Sequence, residues 1–208
     1  MAARSGIAFV LFDLGGVLID VGGVGPMREL SGISSDEELW ARWLACRWVR
    51  RFEAGRCSPD AFAAGVVEDW GLEVEPSDFL AAFAGWTVDP YPGALELVDA
   101  VRVGTPVGCL SNTNVVQWES RYEASPLLEA FDARFLSFEL GLVKPDRAIF
   151  DAVARRLPVP RAQVLFLDDN AVNVEAAAGA GFEARHVRGV DAARDALTRA
   201  GLLAGPVD

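Results

Sequence analysis

Each of four apolar, strand-like segments in this chain of 208 residues is followed by side chains that could do chemistry. In chain order these side chains are Asp13, the pair Ser111 and Asn112, then Lys144, and finally the pair Asp168 and Asp169. A carboxylate can attack an electrophilic centre, and paired carboxylates suit a hard cation such as Mg²⁺. A lysine and a hydroxyl suit a phosphate or another anion. The set as a whole indicates metal-assisted chemistry on a small anionic substrate.

Alternating strand and helix patterns must position these residues. Apolar runs predict buried strands at residues 7–12, 106–110, 133–137, 164–167 and 183–187, and helical spacing predicts helices at residues 92–102, 147–157 and 171–180. This alternation predicts an α/β fold, a Rossmann-like doubly wound parallel sheet. Ligands of such sheets bind at the carboxyl ends of the strands, so we expect the candidate side chains to converge at one edge.

The segment between the first strand and residue 90 carries helical patterns instead. A capping box at Ser35 begins a helix in which apolar residues recur every four positions, and Gly55 closes it. Ser58 followed by Pro59 predicts the start of a second helix, and residues 77–84 predict a third. We therefore expect an all-helical cap domain at residues 20–89, inserted into a discontinuous core domain of residues 1–19 and 90–208.

Composition limits the classes of partner. The 30 acidic and 19 basic residues give a net charge of −11, which disfavours binding to a nucleic-acid backbone. No apolar stretch approaches the roughly 20 residues that cross a membrane. The 3 cysteines have no disulfide-framework spacing, which predicts reduced thiols in a cytoplasmic protein. We expect a monomer or homodimer that acts on a small molecule.

Four motifs resemble those of the haloacid dehalogenase (HAD) superfamily. They are FDLGGVL at residues 12–18, LSNTN at 110–114, KPDRAIF at 144–150 and LDDNAVN at 167–173. The helical insert is similar to the cap that many members carry after the first strand. Within the superfamily, the second and fourth motifs most resemble sugar phosphatases of the alpha-glucose-1-phosphatase type and the phosphatase domain of soluble epoxide hydrolases.

The resemblance implies roles for individual residues. Asp13 would attack the phosphoryl group and form an aspartyl-phosphate, while Ser111 and Lys144 bind the phosphoryl oxygens and Asn112 adds an amide donor to the substrate. The implied Mg²⁺ ligands are Asp13, the backbone carbonyl of Gly15, Asp169, and Asp168 through water. From the cap we expect Trp43 and Arg47 to reach the pocket. The expected function is a magnesium-dependent phosphatase for a small phosphorylated metabolite, with sugar phosphates among the candidates.

The sequence departs from the phosphatase pattern at Gly15, where that pattern has a second Asp that protonates the leaving oxygen. An acidic leaving group such as an anomeric hydroxyl would need less help, and Asp20 is a candidate substitute. Alternatively, the protein turns over slowly or acts mainly as a binding protein. A metal-independent haloacid dehalogenase also lacks the second Asp, but the pair Asp168 and Asp169 would then repel each other without a cation. Phosphonate cleavage is excluded, because residues 20–90 contain no lysine for an imine.

Overall fold

Five parallel strands form the central sheet of the protein. The structure is a computed structural model that describes residues 6–21, 25–86, 89–122 and 125–204. The strands are β1 (Phe9–Phe12), β2 (Val107–Ser111), β3 (Ala133–Leu136), β4 (Val164–Asp168) and β5 (Glu183–His186), in the spatial order β3-β2-β1-β4-β5. All neighbouring pairs are parallel, which confirms the predicted fold class. The strand order reverses beside β1, since β2 and β3 lie on one side of it and β4 and β5 on the other. Ligands of such sheets bind at this point.

Helices cover both faces of the sheet. They are α6 (Ala94–Arg102), α7 (Val115–Gln117), α8 (Pro126–Glu129), α9 (Ser137–Leu140), α10 (Arg147–Ala154), α11 (Ala171–Gly179) and α12 (Gly189–Arg199), with a π-helical turn at Trp118–Tyr122 and a 3₁₀ turn at Arg161–Gln163. Val10 and Phe12 of β1 pack into one hydrophobic cluster with α6 and α12, and Phe9 and Leu11 pack into another with α10. This alternation is what a strand buried on both faces requires.

In the described part of the segment between β1 and α6, the chain forms five helices. They are α1 (Gly25–Ser31), α2 (Asp36–Ala45), α3 (Arg47–Glu53), α4 (Pro59–Trp70) and α5 (Pro76–Ala84), and together we call them the helical insert. The insert has a hydrophobic cluster of its own, built around Phe52, Phe62 and Phe79. Ser58 caps α4 as predicted, because its side chain accepts a hydrogen bond from the Ala61 amide. Within the described residues, no helix has both the length and the apolar composition needed to cross a membrane.

The prediction of a single helix from Ser35 to Gly55 is wrong, because the structure has two helices there, α2 and α3. Ser35 does cap α2, accepting from the Glu38 amide at 3.2 Å, but the helix breaks at Cys46, where ψ is 121°. The break leaves Trp40 37% and Leu44 53% exposed, while Phe52 in α3 is buried. The apolar spacing is continuous along the chain, yet of its last two residues Trp48 is half-buried and only Phe52 is fully buried, so tertiary packing overrides the local periodicity.

Polar contacts join α3 and the residues just after it to the core segment on either side of Lys144. The Arg50 guanidinium pairs with Asp146 at 2.8 Å, and the Arg56 guanidinium donates to the Gly141 carbonyl at 2.7 Å. These side chains are exposed or only partly buried. The end of α3 therefore lies beside the loop that carries one of the candidate catalytic residues.

Candidate active site

A buried lysine bridges two aspartates at the carboxyl end of the sheet. The Lys144 Nζ atom lies 2.9 Å from Asp13 Oδ1 and 2.7 Å from Asp168 Oδ2. The two aspartates are side by side because β1 and β4 are neighbours in the sheet. Burial alone would lower the pKa of Lys144, but the two carboxylates outweigh it and raise the pKa well above its ordinary value. The lysine therefore stays charged at this edge of the sheet.

Asp168 is enclosed by hydrogen-bond donors. Its side chain is fully buried and accepts from Lys144, from the Asn173 amide at 3.1 Å and from the Asn170 backbone N–H at 2.8 Å. Both of its oxygens are thus occupied, and its predicted metal contact through water stays a prediction. The sequence analysis assigned no role to Asn173, although it is the last residue of the fourth motif. It lies in the first turn of α11, three residues after the N-cap residue Asn170.

The acidic residues here could hold a metal ion. Carboxylate oxygens of Asp13, Asp168 and Asp169 all lie within 4.8 Å of one another. Burial raises the pKa of both Asp13 and Asp169, and in Asp169 the neighbouring Asp168 adds to the rise. Lys144 balances one of the three negative charges, so an ionised cluster has an excess that a divalent cation would neutralise. Oxygen donors of this kind are those that Mg²⁺ prefers, and the donor set fits that ion.

Gly16 lies directly beneath the Asp169 carboxylate. Its φ of +70° is in the left-handed region, and a Cβ built on it would collide with the carboxylate oxygens of Asp169. The close approach is possible because glycine has no side chain. Gly15, the predicted carbonyl ligand, lines the same cavity as Asp13 and Asp169.

Ser111 is the last residue of β2, and Asn112, which follows it, contacts Lys144. Ser111 is buried, and its hydroxyl is 3.4 Å from the Asn112 carbonyl. The Asn112 side chain is paired with the backbone of Lys144, donating to its carbonyl at 3.0 Å and accepting from its N–H at 2.9 Å. In this arrangement Asn112 fixes the position of Lys144, and its predicted contact with substrate stays a prediction.

A cavity of about 620 Å³ opens above these residues, between the sheet edge and the helical insert. Asp13, Ser111, Lys144 and Asp169 line its polar end. The segment between β1 and α6 contributes aromatic side chains, namely Trp40, Trp43, Phe52, Phe62, Phe83 and Trp86. A cavity with a few converging polar groups and apolar walls is typical of small-molecule sites.

Arg47 does not reach this cavity. Its guanidinium forms two 3.0 Å hydrogen bonds with the Asp69 carboxylate, lies over the Trp48 ring and has 68% of its side chain exposed. The prediction that Arg47 lines the pocket is therefore corrected. The cause is the break at Cys46, which places the first residue of α3 on the outer surface of the insert.

Two residues near the site escaped the sequence analysis. Glu53, the last residue of α3, lines the cavity, and burial raises its pKa to about 7 against the attraction of Lys144 and Arg50. No motif marks this glutamate. The sequence analysis also assigned no role to His186, yet its Nε2 atom is 2.7 Å from the Asp169 carbonyl oxygen. The pairing of β4 with β5 brings it there, and the strand order was not available from the sequence.

Comparisons with known proteins agree with this geometry. A family model described as a haloacid dehalogenase-like hydrolase matches residues 7–181. D-ribitol-5-phosphate phosphatase of Bacteroides thetaiotaomicron is 28% identical over 183 residues, which cover 84% of this chain and 88% of that protein. (S)-2-haloacid dehalogenase 1 of a Pseudomonas species is 28% identical over 189 residues, 83% of this chain and 80% of that protein. The crystal structure of a HAD family enzyme from B. thetaiotaomicron, in complex with magnesium and inorganic phosphate, superimposes with a TM-score of 0.72 at 26% identity, covering 88% of this chain and 94% of that one.

Proposed function

The chain belongs to the haloacid dehalogenase-like hydrolase family, and we propose that it is a magnesium-dependent phosphatase for small phosphorylated metabolites. The observation that carries this proposal is the Lys144 bridge between Asp13 and Asp168 beside Ser111, at the polar end of a cavity. A nucleophile, an anion-binding cation and a hydroxyl meet there. The similar phosphatase and the magnesium–phosphate complex support the same reaction class.

Asp13 is the proposed nucleophile. Its Oδ1 atom accepts a hydrogen bond from the Leu14 amide at 2.7 Å and pairs with Lys144, so the orientation of the carboxylate is fixed. Attack on phosphorus forms an aspartyl-phosphate and expels the alcohol, and water then hydrolyses the aspartyl-phosphate. Lys144 and Ser111 bind the oxygens of the transferred group and stabilise its charge. Asp168 holds Lys144 in place from below.

A magnesium ion would be held by Asp13, Asp169 and the Gly15 carbonyl. When bound, it would neutralise charge on the phosphoryl oxygens. Two features support this assignment: the carboxylate oxygens lie within 4.8 Å of one another, and their charge exceeds that of the single lysine. The same charge excess disfavours the metal-independent dehalogenase, although Asp168 is less of a difficulty for it than expected, since Lys144 neutralises that carboxylate.

The cavity supports a substrate larger than phosphate itself. Its volume of about 620 Å³ leaves room for an organic group between the polar end and the aromatic side chains of the segment between β1 and α6, among them Trp43 and Trp86. Aromatic rings pack against the apolar face of a sugar ring and against other carbon skeletons. Sugar and sugar-alcohol phosphates are therefore the first substrates to test, together with aryl phosphates.

Haloacid dehalogenation is the second candidate. Two observations favour it: position 15 has no carboxyl group, and a similar protein is named a dehalogenase. It predicts halide release from a 2-haloacid without added metal. The phosphatase predicts release of inorganic phosphate that requires Mg²⁺ and stops in EDTA.

The test is a hydrolysis panel of phosphate esters and a 2-haloacid on the wild-type protein and on Asp13→Asn. We expect the wild type to release phosphate from p-nitrophenyl phosphate and sugar phosphates with Mg²⁺, and the variant to lose at least about 10³-fold in rate while remaining folded. Retention of the wild-type rate by Asp13→Asn would rule out the covalent mechanism. Halide release from the 2-haloacid with no phosphate release would contradict the proposed phosphatase function and support the dehalogenase function instead.

A further inference from the structure

The proposed phosphatase reaction needs a proton donor that position 15 does not supply. In the first step the leaving alkoxide must gain a proton, and in the second the attacking water must lose one. Gly15 has no side chain to do either. A carboxyl group elsewhere in the cavity can take its place, and the inference that follows rests on the proposed phosphatase function.

Glu53 stands on the side of the cavity where that proton is needed. It ends α3 in the helical insert and lines the same cavity as Asp13, Ser111 and Lys144. In an in-line displacement the leaving oxygen points away from the nucleophile, here away from the sheet and toward the insert. The water of the second step enters from that same side. One carboxyl group on the insert can therefore serve both steps.

The Glu53 carboxylate is not committed to another contact. In the part of the chain that the structure describes, no hydrogen bond or ion pair engages it, and the neighbouring Arg50 pairs with Asp146 instead. A partly buried carboxylate without a partner is costly to ionise. Its pKa is accordingly raised to about 7, by burial against the attraction of Lys144 and Arg50. A group with this pKa can both give and take a proton near neutral pH.

We propose that Glu53 is the general acid and base of this phosphatase, in place of the carboxyl group absent at position 15. In the first step the bond from Asp13 to phosphorus forms, the ester P–O bond breaks, and the Glu53 proton passes to the leaving oxygen. In the second step water bonds to phosphorus and gives a proton to Glu53, while the bond from Asp13 to phosphorus breaks. Alcohol and inorganic phosphate are released, and both carboxyl groups return to their starting states.

Asp20 is the competing candidate, because it also lines the cavity. Asp20 lies between β1 and α1, outside the helices of the insert, whereas Glu53 ends α3 and lies in the field of Lys144, which contacts the nucleophile. The role therefore falls to Glu53, and Asp20 provides a comparison in the test.

The experiment is rapid-mixing kinetics on the whole chain with Mg²⁺, using wild type, Glu53→Gln, Asp20→Asn and the matched control Glu68→Gln on the exposed surface of α4. The substrates are p-nitrophenyl phosphate, whose leaving group needs no proton, and a simple alkyl phosphate. For Glu53→Gln we expect a burst approaching one p-nitrophenol per enzyme, followed by turnover about 10²–10⁴-fold below wild type. With the alkyl phosphate the same variant shows the loss and no burst. Asp20→Asn shows no burst, and Glu68→Gln behaves as wild type.

Several results would overturn the assignment. Wild-type rates in Glu53→Gln on both substrates exclude it, as does the burst appearing in Asp20→Asn instead. An equal loss on both substrates without a burst assigns Glu53 a structural role only. If Glu53→Gln does not fold, Glu53→Ala with added formate takes its place, and failure of formate to restore turnover rejects the proposal. A folded wild type that hydrolyses no phosphate ester refutes the phosphatase function itself, and this inference with it.

Discussion

The Asp168 carboxylate lies directly behind the Lys144 ammonium, with 2.7 Å between Oδ2 and Nζ and at most 1% of either side chain exposed. Asp168 is absent from the cavity lining, whereas Lys144 is part of it. The fourth motif thus supplies two aspartates in different environments, one facing the cavity and one holding the lysine. Their substitution should have opposite effects on stability.

Asp168→Asn should destabilise the protein strongly. It removes one partner of a buried ion pair and leaves Lys144 with a single carboxylate, a change that typically costs about 3 kcal/mol or more. For a chain of this length that corresponds to a fall of roughly 6–12 °C in Tm. The measurement is thermal unfolding in EDTA, with Asp195→Asn on the exposed side of α12 as the control. An unchanged Tm would mean that Lys144 does not depend on Asp168.

Asp169→Asn should stabilise the metal-free protein and remove its response to Mg²⁺. The pKa of Asp169 is raised, so its ionised form is unfavourable in the fold, and the neutral amide relieves that penalty. Magnesium at 100 times its Kd should stabilise the wild type by about 2.7 kcal/mol. The measurement is Tm with and without Mg²⁺, and Asp195→Asn should respond as wild type does. An equal Mg²⁺ shift in Asp169→Asn would place the ion elsewhere.

The effect of Glu53 on stability should depend on pH. Its pKa is about 7 in the fold against 4.5 for an ordinary glutamate, so the folded state binds the proton more tightly. As pH rises through this window the wild type loses stability, and the penalty is complete above pH 7. Glu53→Gln should therefore be more stable than wild type by about 1–2 kcal/mol at pH 8, with a smaller difference at pH 5. Urea unfolding at both pH values measures this, with Glu68→Gln as control, and a difference that does not grow with pH contradicts it.

A carboxyl group restored at position 15 should replace Glu53. A Cβ on Gly15 would lie 2.9 Å from Val21 Cγ1, so Gly15→Asp needs Val21→Ala to make room. In a Glu53→Gln background the two changes together should raise turnover of an alkyl phosphate at least about 10-fold. The comparison is Glu53→Gln with Val21→Ala alone. No gain in a folded triple variant would show that proton transfer is not the missing element.

The sequence predicted the sheet and the position of its reactive edge well. Apolar runs located the five strands of the described residues, and β1, β2 and β4 are buried along their whole length as such runs require. The prediction that β5 is buried is wrong, because β5 is an edge strand whose residues are mostly exposed. The strand order was not predictable, since pairing depends on contacts between distant segments. For that reason the contact of His186 with the Asp169 backbone was unforeseen.

The helical insert was predicted less well. Its helices were expected, but the break at Cys46 was not, since no proline or glycine marks it. The break at Cys46 places Arg47 on the outer surface of the insert. The spacing of apolar residues gives no sign of it, because that spacing continues unchanged to Phe52. The placement of Glu53 in the cavity depends on the same packing of α3, which local sequence does not encode.

The contacts that join α3 to the core have a consequence for how substrates enter and leave. Arg50 with Asp146 and Arg56 with the Gly141 carbonyl are solvent-accessible polar contacts, and an exposed ion pair contributes about 0–1 kcal/mol. Thermal fluctuation is enough to separate such contacts, and dissolved salt weakens the ion pair further. Ionic strength would thus act on the rate at which product escapes from the cavity while leaving the buried Lys144 bridge intact.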